Sequence, residues 1–364
     1  MRVALLGDVA FFGRMSVNEN PDVKSYFSEI ADYLKGFDYV VGNLETPFSR
    51  KKKTYGAKSA YICADVENIE LLRYLHIDAV TLANNHVFDY GKEGYETTKE
   101  LLKEAGIEWF GAEGKDLHVE KAGGRLSFAG YCCYTSNPLR CVKQGEYGVN
   151  AYNLKDAEAF ISRSSADGYL PILAVHAGME HVNYPAIEHV RAARQLAKAG
   201  SYVYYGHHPH VIQGVEDSNG SLIAHSLGNF CFDDVYTEKS SQPLVELTEN
   251  NRTGAILELD VEGGKLAGWR ERVFYIAKEG KLKLVDEPAS ITEYNERLAN
   301  CEEDSEAYTA RRKRILAARM SERKSARNLM WYLKRLKPRY VKIILNARNN
   351  AKEFNNNVLR YIER

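Results

Sequence analysis

Short apolar runs alternate with amphipathic segments along about the first 230 residues of the chain. Strands are predicted at the apolar runs, which are residues 2–7, 39–42, 79–83, 107–110, 126–133, 170–176 and 202–205. Helices are predicted where apolar residues recur every three or four positions, as in residues 26–34, 66–75, 95–105, 154–164 and 187–199. Such alternation of strands and helices predicts an α/β domain whose helices cover a sheet.

The pattern changes in the second half of the chain. Two alternating apolar segments, residues 254–261 and 265–275, flank a Glu-Gly-Gly sequence and predict a β-hairpin, so this half should be richer in antiparallel strands. From about residue 288 the sequence becomes helical and charged, and Pro338 should divide this part into two helices. We therefore predict one domain over residues 1–285 and a helical extension over residues 286–364.

Length and composition point to a folded protein that does not span a membrane. A chain of 364 residues with 45% hydrophobic residues can bury a large core. It contains no apolar run of the roughly 18 residues that a membrane span needs, and its start resembles a strand rather than a signal peptide. We expect a cytoplasmic protein that is peripherally associated with a membrane at most, with its six cysteines reduced.

The net charge of zero conceals a basic C-terminal part. Residues 309–364 carry 17 Lys and Arg against 3 Asp and Glu, a net charge of +14, whereas residues 1–308 carry 32 against 46. One interpretation is a solvated helical extension or an oligomerisation arm. The other is docking on an anionic membrane or an acidic polymer, because basic residues interleave with the apolar cluster at residues 329–333. Nucleic acid is disfavoured, since no recognised binding module accompanies the charge.

Residues that can bind metal ions follow several of the predicted strands. The candidate ligands are Asp8, Glu45, Asn85, His176, His207, His208 and His210. Because ligand sites of α/β sheets form where the carboxyl ends of strands meet, these side chains should lie together in one site. Taken singly, Asp8 could cap a helix, Glu45 could face solvent and an Asn-His pair is common in turns. Their conjunction predicts a metal centre.

The mixture of ligand types indicates which metals the site would take. Carboxylate, amide and imidazole groups without cysteine favour one or two Mn, Fe or Zn ions in an open catalytic site over a structural zinc. Two such ions could clamp a phosphoryl oxygen. His86 is predicted to act as a proton donor or to stabilise charge on the substrate, and Asp89 to orient it.

Six ordered motifs within about residues 1–235 resemble the CapA family of poly-γ-glutamate capsule synthesis proteins, which belongs to the calcineurin-like metallophosphoesterase superfamily. They are Gly-Asp at 7–8, Gly-Asn-Leu-Glu-Thr-Pro at 42–47, Leu-Ala-Asn-Asn-His at 82–86 with Asp-Tyr-Gly at 89–91, Val-His-Ala-Gly-Met-Glu at 175–180, Gly-His-His-Pro-His-Val at 206–211 and Ser-Leu-Gly-Asn-Phe at 226–230. The resemblance implies an α/β fold built as a four-layer α/β/β/α sandwich, with the basic helical extension outside it.

The resemblance also implies roles for the site residues. Asp8 would hold one metal, Glu45 would occupy the bridging position, and Asn85 and His176 would hold the second metal. The histidines at 207–210 would be shared between the metals, and His86 would donate a proton to the leaving group. Two positions depart from the superfamily pattern: an Asp-x-His motif is Asp-Val-Ala at residues 8–10 here, and the second-motif Asp is replaced by Asn-Leu-Glu at residues 43–45.

These expectations lead to a metal-dependent hydrolase of the phosphoesterase type in capsule or surface-polymer biosynthesis, acting on a polymer or a phosphorylated substrate. Two alternatives stay open. One is an amide hydrolase or transferase that acts on γ-glutamyl bonds. The other is a non-catalytic accessory protein of polymer synthesis or export that keeps the remnant of a metal site.

Overall fold

A computed structural model describes the chain except residues 52, 57, 59, 144, 238, 239, 287, 288, 326–337, 363 and 364. The strands are β1 Arg2–Val9, β2 Tyr39–Leu44, β3 Ala79–Thr81, β4 Glu108–Phe110, β5 Leu117–Lys121, β6 Gly124–Cys132, β7 Cys141–Val142, β8 Val149–Asn150, β9 Leu170–His176, β10 Val203–His207, β11 Ile212–Ser218, β12 Ser221–Leu227, β13 Asn229–Cys231, β14 Val235–Thr237, β15 Ser240–Val245, β16 Thr253–Glu262, β17 Lys265–Ile276 and β18 Leu282–Leu284. The helices are α1 Val23–Leu34, α2 Ile69–Tyr74, α3 Gly91–Ala105, α4 Leu154–Ala166, α5 Ile187–Leu196, α6 Glu249–Arg252, α7 Ala289–Ala299, α8 Ser305–Ser325, α9 Pro338–Phe354 and α10 Arg360–Ile362.

Two mixed sheets form the centre of the molecule. The first has the strand order β18-β17-β16-β1-β2-β3-β4, with β13 also paired to β1. In it β1 to β4 run parallel and β16 to β18 add antiparallel strands on the other side. The second sheet has the order β11-β12-β10-β9-β6-β5, with parallel central strands and antiparallel edges.

The alternation of side chains between the two faces of each strand shows how the layers pack. On β1, Val3 and Leu5 are fully buried in the apolar cluster between the two sheets, whereas Ala4 and Leu6 belong to the cluster under α1, α2 and α3. On β9, Ile172 faces the other sheet, and its neighbours on the opposite face pack against α4 and α5. Because successive strand residues point to opposite faces, this pattern gives the four-layer α/β/β/α sandwich that the family resemblance implies.

The predicted hairpin is confirmed. Strands β16 and β17 pair in antiparallel register from Thr253 opposite Tyr275 to Glu262 opposite Lys265, with Gly263 and Gly264 at the turn. The strand β16 also pairs with β1, so the hairpin extends the first sheet beside the strand that ends near Asp8. The antiparallel half of the chain therefore completes the sheet on which the candidate site is built.

The C-terminal basic part is helical where it is described. The described part of helix α9 runs from Pro338 to Phe354. The division into two helices at Pro338 stays a prediction, because residues 326–337 lie outside the described residues. The apolar cluster predicted at residues 329–333 lies outside the described residues. Every helix in the described part of the chain is too short or too polar to cross a bilayer.

Both C-terminal helical segments contact the α/β body. Tyr308 donates a hydrogen bond of 2.9 Å to the carbonyl of Pro185, and Arg312 donates one of 3.1 Å to the carbonyl of Tyr184. Farther along, Val358 is fully buried in the apolar cluster that covers the second sheet. The extension is thus docked on the sandwich, and the boundary between residues 285 and 286 stays a prediction.

Candidate metal centre

The strand registers bring the predicted ligands to one edge of the two sheets. Asp8 on β1 lies opposite Asn43 on β2, and His176 on β9 lies opposite His207 on β10. Each residue is at or next to the carboxyl end of its strand. The site therefore forms where the parallel strands of both sheets end, as expected for α/β sheets.

Two glycines allow the backbone to close around this edge. A Cβ atom at Gly7 would lie 2.1 Å from the carbonyl oxygen of Gly228, and one at Gly206 would lie 1.9 Å from that of His225. Neither distance leaves room for a side chain. The close approach at Gly7 lets the backbone N–H of Asp8 donate to the Gly228 carbonyl at 3.0 Å, which places the start of β13 beside the site.

Asp8 is the most highly connected residue of the site. Its Oδ1 lies 3.2 Å from Nδ1 of His207, its Oδ2 lies 3.2 Å from Nδ1 of His210, and the side chain of Asn43 donates to Oδ1 at 2.8 Å. Burial opposes ionisation of this carboxyl group, but the two histidines outweigh it and hold the pKa of Asp8 well below its usual range. Asp8 is thus a fixed carboxylate.

Glu45 is completely buried and has a different environment. Its Oε1 lies 3.6 Å from Nε2 of His176 and 3.7 Å from Nε2 of His210. Among the described residues, neither carboxylate oxygen has a hydrogen-bond partner. Burial raises the pKa of Glu45 well above its usual range, in spite of the favourable charge on His210.

His176 joins the asparagine motif to the histidine motif. Its Nε2 lies 3.0 Å from Oδ1 of Asn85, and its ring centroid lies 4.7 Å from that of His208. His208 and His210 have φ angles of 94° and 57°. Residues with a Cβ seldom adopt such values, and the strain of roughly 1–3 kcal/mol per residue is typical of functional sites.

The donor set fits a divalent metal ion. Ligand atoms of Glu45, His208 and His210 lie within 4.8 Å of one another, and all three residues are buried. Nε2 of His207 and Nδ1 of His208 also lack a hydrogen-bond partner within the part of the chain that is described. Buried polar atoms are normally paired. A cation held by Glu45, His208 and His210 would give the unpaired carboxylate of Glu45 a partner.

His86 and Asp89 lie next to this cluster and contact each other. Nδ1 of His86 lies 2.6 Å from Oδ2 of Asp89, which also accepts a 3.0 Å hydrogen bond from the backbone N–H of Ile62. Burial lowers the pKa of His86, and the attraction of Asp89 does not overcome this effect. Asp89 therefore holds Nδ1 of His86 and orients its ring.

Lys58 is a member of the site that sequence reasoning missed. Its Nζ donates to Oδ1 of Asp89 at 2.8 Å and to the carbonyl of Asn85 at 2.8 Å, and lies 3.0 Å from Nδ1 of His86. Its side chain is only 6% exposed. Burial opposes ionisation of Asp89, but His86 and Lys58 together lower the pKa of its carboxyl group. The segment around Lys58 has no hydrophobic period or motif that would have singled it out.

Other polar residues lie around the centre, and two of them, Asn229 and Glu180, appeared only within the sequence motifs. Oδ1 of Asn229 lies 2.9 Å from Nδ1 of His210. The ring centroid of His181 lies 6.0 Å from that of His210. Burial opposes ionisation of Glu180, but nearby histidines including His208 lower its pKa to about 2. The centre is therefore surrounded by additional titratable groups.

We expect Lys58→Met to lower the free energy of unfolding by roughly 3 kcal/mol or more, because it leaves the carboxylate of Asp89 buried without its cation. Chemical denaturation of the two proteins measures this difference. Asp89→Asn removes the other partner, so the double variant should lose less than the sum of the two single losses. Losses that simply add would mean that the two side chains are not energetically coupled.

Four layers of α/β/β/α structure, with carboxylates, amides and imidazoles gathered at the strand ends, define a metallophosphatase-like fold. The family described as "Bacterial capsule synthesis protein PGA_cap" matches residues 2–234. Since this match covers more than half of the chain, the protein belongs to that family.

Two curated relatives are similar to the chain. It is 29% identical over 245 residues to the capsule biosynthesis protein CapA of Bacillus anthracis, a match that covers 64% of this chain and 60% of that protein. It is 28% identical over 265 residues to the PGA biosynthesis protein CapA of Bacillus subtilis (strain 168), a match that covers 70% of this chain and 69% of that protein. The first match thus spans about 60% of that relative's length.

Solved structures resemble the chain more distantly. A hypothetical protein from Thermus thermophilus has a TM-score of 0.46 and 17% identity, with 76% of this chain and 99% of that chain covered. The NAD nucleotidase NadN of Haemophilus influenzae has a TM-score of 0.42 and 12% identity, with 86% of this chain and 60% of that chain covered.

Proposed function

We propose that the chain is a metal-dependent hydrolase of the phosphoesterase type that acts in capsule or surface-polymer biosynthesis on the cytoplasmic side of the membrane. The observation that carries this proposal is the buried carboxylate of Glu45. Both of its oxygens lack hydrogen-bond partners among the described residues, and two histidines with suitably placed ring nitrogens surround it. Membership of the capsule synthesis family supports the biological setting.

The proposed ligands are the residues that converge at the sheet edges. They are Asp8, Glu45, Asn85, His176, His207, His208 and His210. One or two divalent ions of Mn, Fe or Zn fit this mixture of oxygen and nitrogen donors. When bound, such an ion supplies Lewis acidity toward a phosphoryl oxygen and lowers the pKa of a water molecule.

The remaining residues of the site orient the substrate and handle a proton. Because Nδ1–H of His86 is given to Asp89, Nε2 would pass a proton to the leaving oxygen from the doubly protonated ring. Lys58 holds Asp89 and the backbone of Asn85, so that the turn carrying His86 keeps one geometry. Asn84 accepts hydrogen bonds from the backbone N–H groups of His86 and Val87 at 3.1 and 2.9 Å, which fixes the same turn.

Metal analysis of the purified protein followed by a substrate screen tests the proposal. We expect about one or two equivalents of transition metal per chain and hydrolysis of a phosphomonoester or phosphodiester that a chelator stops and added metal restores. The same screen should include γ-glutamyl peptides. Cleavage of these peptides in place of phosphoesters would replace the phosphoesterase proposal with an amide hydrolase.

A non-catalytic accessory role predicts a different result. A protein that only binds a polymer or a partner could retain metal, yet it would turn over neither phosphoesters nor γ-glutamyl peptides at any metal loading. The arrangement of His86, Asp89 and Lys58 argues for turnover, because a buried histidine oriented by a carboxylate and a lysine is more than metal binding needs. Metal with no turnover across the screen would therefore contradict the hydrolase proposal.

A further inference from the structure

Helix α9 presents an apolar stripe to solvent. Val341, Ile344 and Leu345 are 58%, 56% and 51% exposed. Their spacing of three and four residues places them on one face of the helix. Large aliphatic side chains in such a contiguous stripe usually mark an interaction surface rather than chance exposure.

The same face continues into basic residues. Arg348 follows Ile344 by four positions, and Lys352 follows Leu345 by seven, so both continue the stripe toward the end of the helix. Both side chains are exposed. A helix face that joins aliphatic and cationic side chains matches the character of helices that lie in the interface of a membrane.

Contacts with the sandwich hold this helix in place. Helix α9 packs against the turn Tyr134–Ser136, and Phe354 at its end lies in the apolar cluster in which Val358 is fully buried. Ile343, on a different face from the stripe, is half-buried. The stripe is therefore displayed by a helix that is docked on the sandwich.

We propose that this face of α9, defined by Val341, Ile344, Leu345, Arg348 and Lys352, docks on an anionic lipid bilayer. Charge complementarity selects this occupant, because residues 309–364 carry a net charge of +14 and the stripe combines apolar with basic groups. A second copy of the same face would offer Arg348 and Lys352 no anionic partner, because the five residues that define the face include no acidic side chain.

The position of α9 connects this surface to the metal centre. The turn on which the helix packs also contains Ser136, whose hydroxyl donates a hydrogen bond of 3.2 Å to the carbonyl of His176. Docking through α9 would thus hold the sheet edge that carries the metal ligands close to the bilayer. This inference goes beyond the proposed hydrolase activity and does not depend on it.

Co-sedimentation of the full chain with lipid vesicles tests the proposal. We expect binding to vesicles of phosphatidylglycerol and phosphatidylcholine at low salt, weak binding to phosphatidylcholine alone, and release as ionic strength rises, since screening acts over about 8 Å at 0.15 M salt. The double variant Arg348→Gln/Lys352→Gln should bind roughly 30-fold more weakly, because each basic residue near an anionic surface contributes about fivefold. The variant Ile344→Ser/Leu345→Ser should bind about tenfold more weakly.

A matched control removes two charges elsewhere. Lys103 and Lys198 are exposed residues of the sandwich, and Lys103→Gln/Lys198→Gln should bind vesicles within about twofold of the wild type if location on α9 matters. Thermal unfolding of every variant checks that the fold is retained. No binding of the wild type to anionic vesicles, or an equal loss in the control, would overturn the proposal. The proposal would also be overturned if Ile344→Ser/Leu345→Ser converted a dimer to a monomer and left vesicle binding unchanged. Binding of the wild type to a soluble acidic polymer but not to vesicles would overturn it as well.

Discussion

Replacing His86 with alanine should lower the turnover of the metal-loaded protein by roughly 10²–10⁴-fold while the bound metal stays near the wild-type amount. The reason is that Nδ1 of His86 is committed to Asp89 at 2.6 Å, whereas the proposed metal ligands are other residues of the site. Removing the imidazole takes away a proton donor without removing a ligand. The measurements are kcat at saturating substrate and metal content by elemental analysis of the same sample.

The identity of the leaving group distinguishes proton donation from a positioning role. A nitrophenolate leaving group departs without a proton, so His86→Ala should slow a nitrophenyl phosphoester much less than an alkyl phosphoester. His118→Ala, which removes an exposed histidine outside the site, serves as the control and should change neither rate. A penalty that is the same for both leaving groups would exclude the acid role, and loss of metal together with activity would make His86 a ligand.

The convergence of the candidate ligands could be predicted from the sequence, because it depends on a simple relation between the ends of strands and the edge of a sheet. Asp8, His176 and His207 each end a strongly apolar strand, and strand ends of parallel sheets meet whatever the details of the loops. Along β1, Val3 and Leu5 alternate with Ala4 and Leu6. This alternation likewise determines which side chains face the other sheet and which face the helices. These features are local or periodic, so the chain itself displays them.

Lys58 and the C-terminal helices could not be predicted in this way. The contact between Lys58 and Asp89 joins residues that are 31 positions apart through a segment without a hydrophobic period. The burial of Tyr308 and Val358 depends on surfaces offered by residues more than 100 positions away, while their own neighbourhoods are polar and basic. Composition marks residues 309–364 as different, but it does not reveal that the described parts of this segment contact the sandwich.

Replacing His210 with alanine should deplete the bound metal to less than about a tenth of the wild-type amount and abolish activity with it, since even outer partners of metal sites affect affinity by about 10–100-fold. His210 contacts Asp8 and lies 3.7 Å from Glu45, so its loss breaks the link between two carboxylates. His208→Ala should behave in the same way. The control is His189→Ala, which removes a buried imidazole that packs against Phe354, with ring centroids 5.4 Å apart.

Glu45 provides a stricter test of the same centre. Its side chain should destabilise the fold when metal is absent and stabilise it when metal is bound. Glu45 is fully buried, and its carboxylate has no hydrogen-bond partner among the described residues, so it destabilises the fold when metal is absent. In protein stripped of metal by a chelator, Glu45→Gln should therefore leave the free energy of unfolding unchanged or raise it. In the presence of metal at about 100 times its dissociation constant, the wild type should gain about 2.7 kcal/mol, whereas the variant should gain little. Denaturation with and without chelator measures both quantities.

Equal stabilisation of the two proteins by metal would show that Glu45 is not a ligand. A large loss of stability in the variant without metal would show that the carboxylate of Glu45 is held by the protein itself.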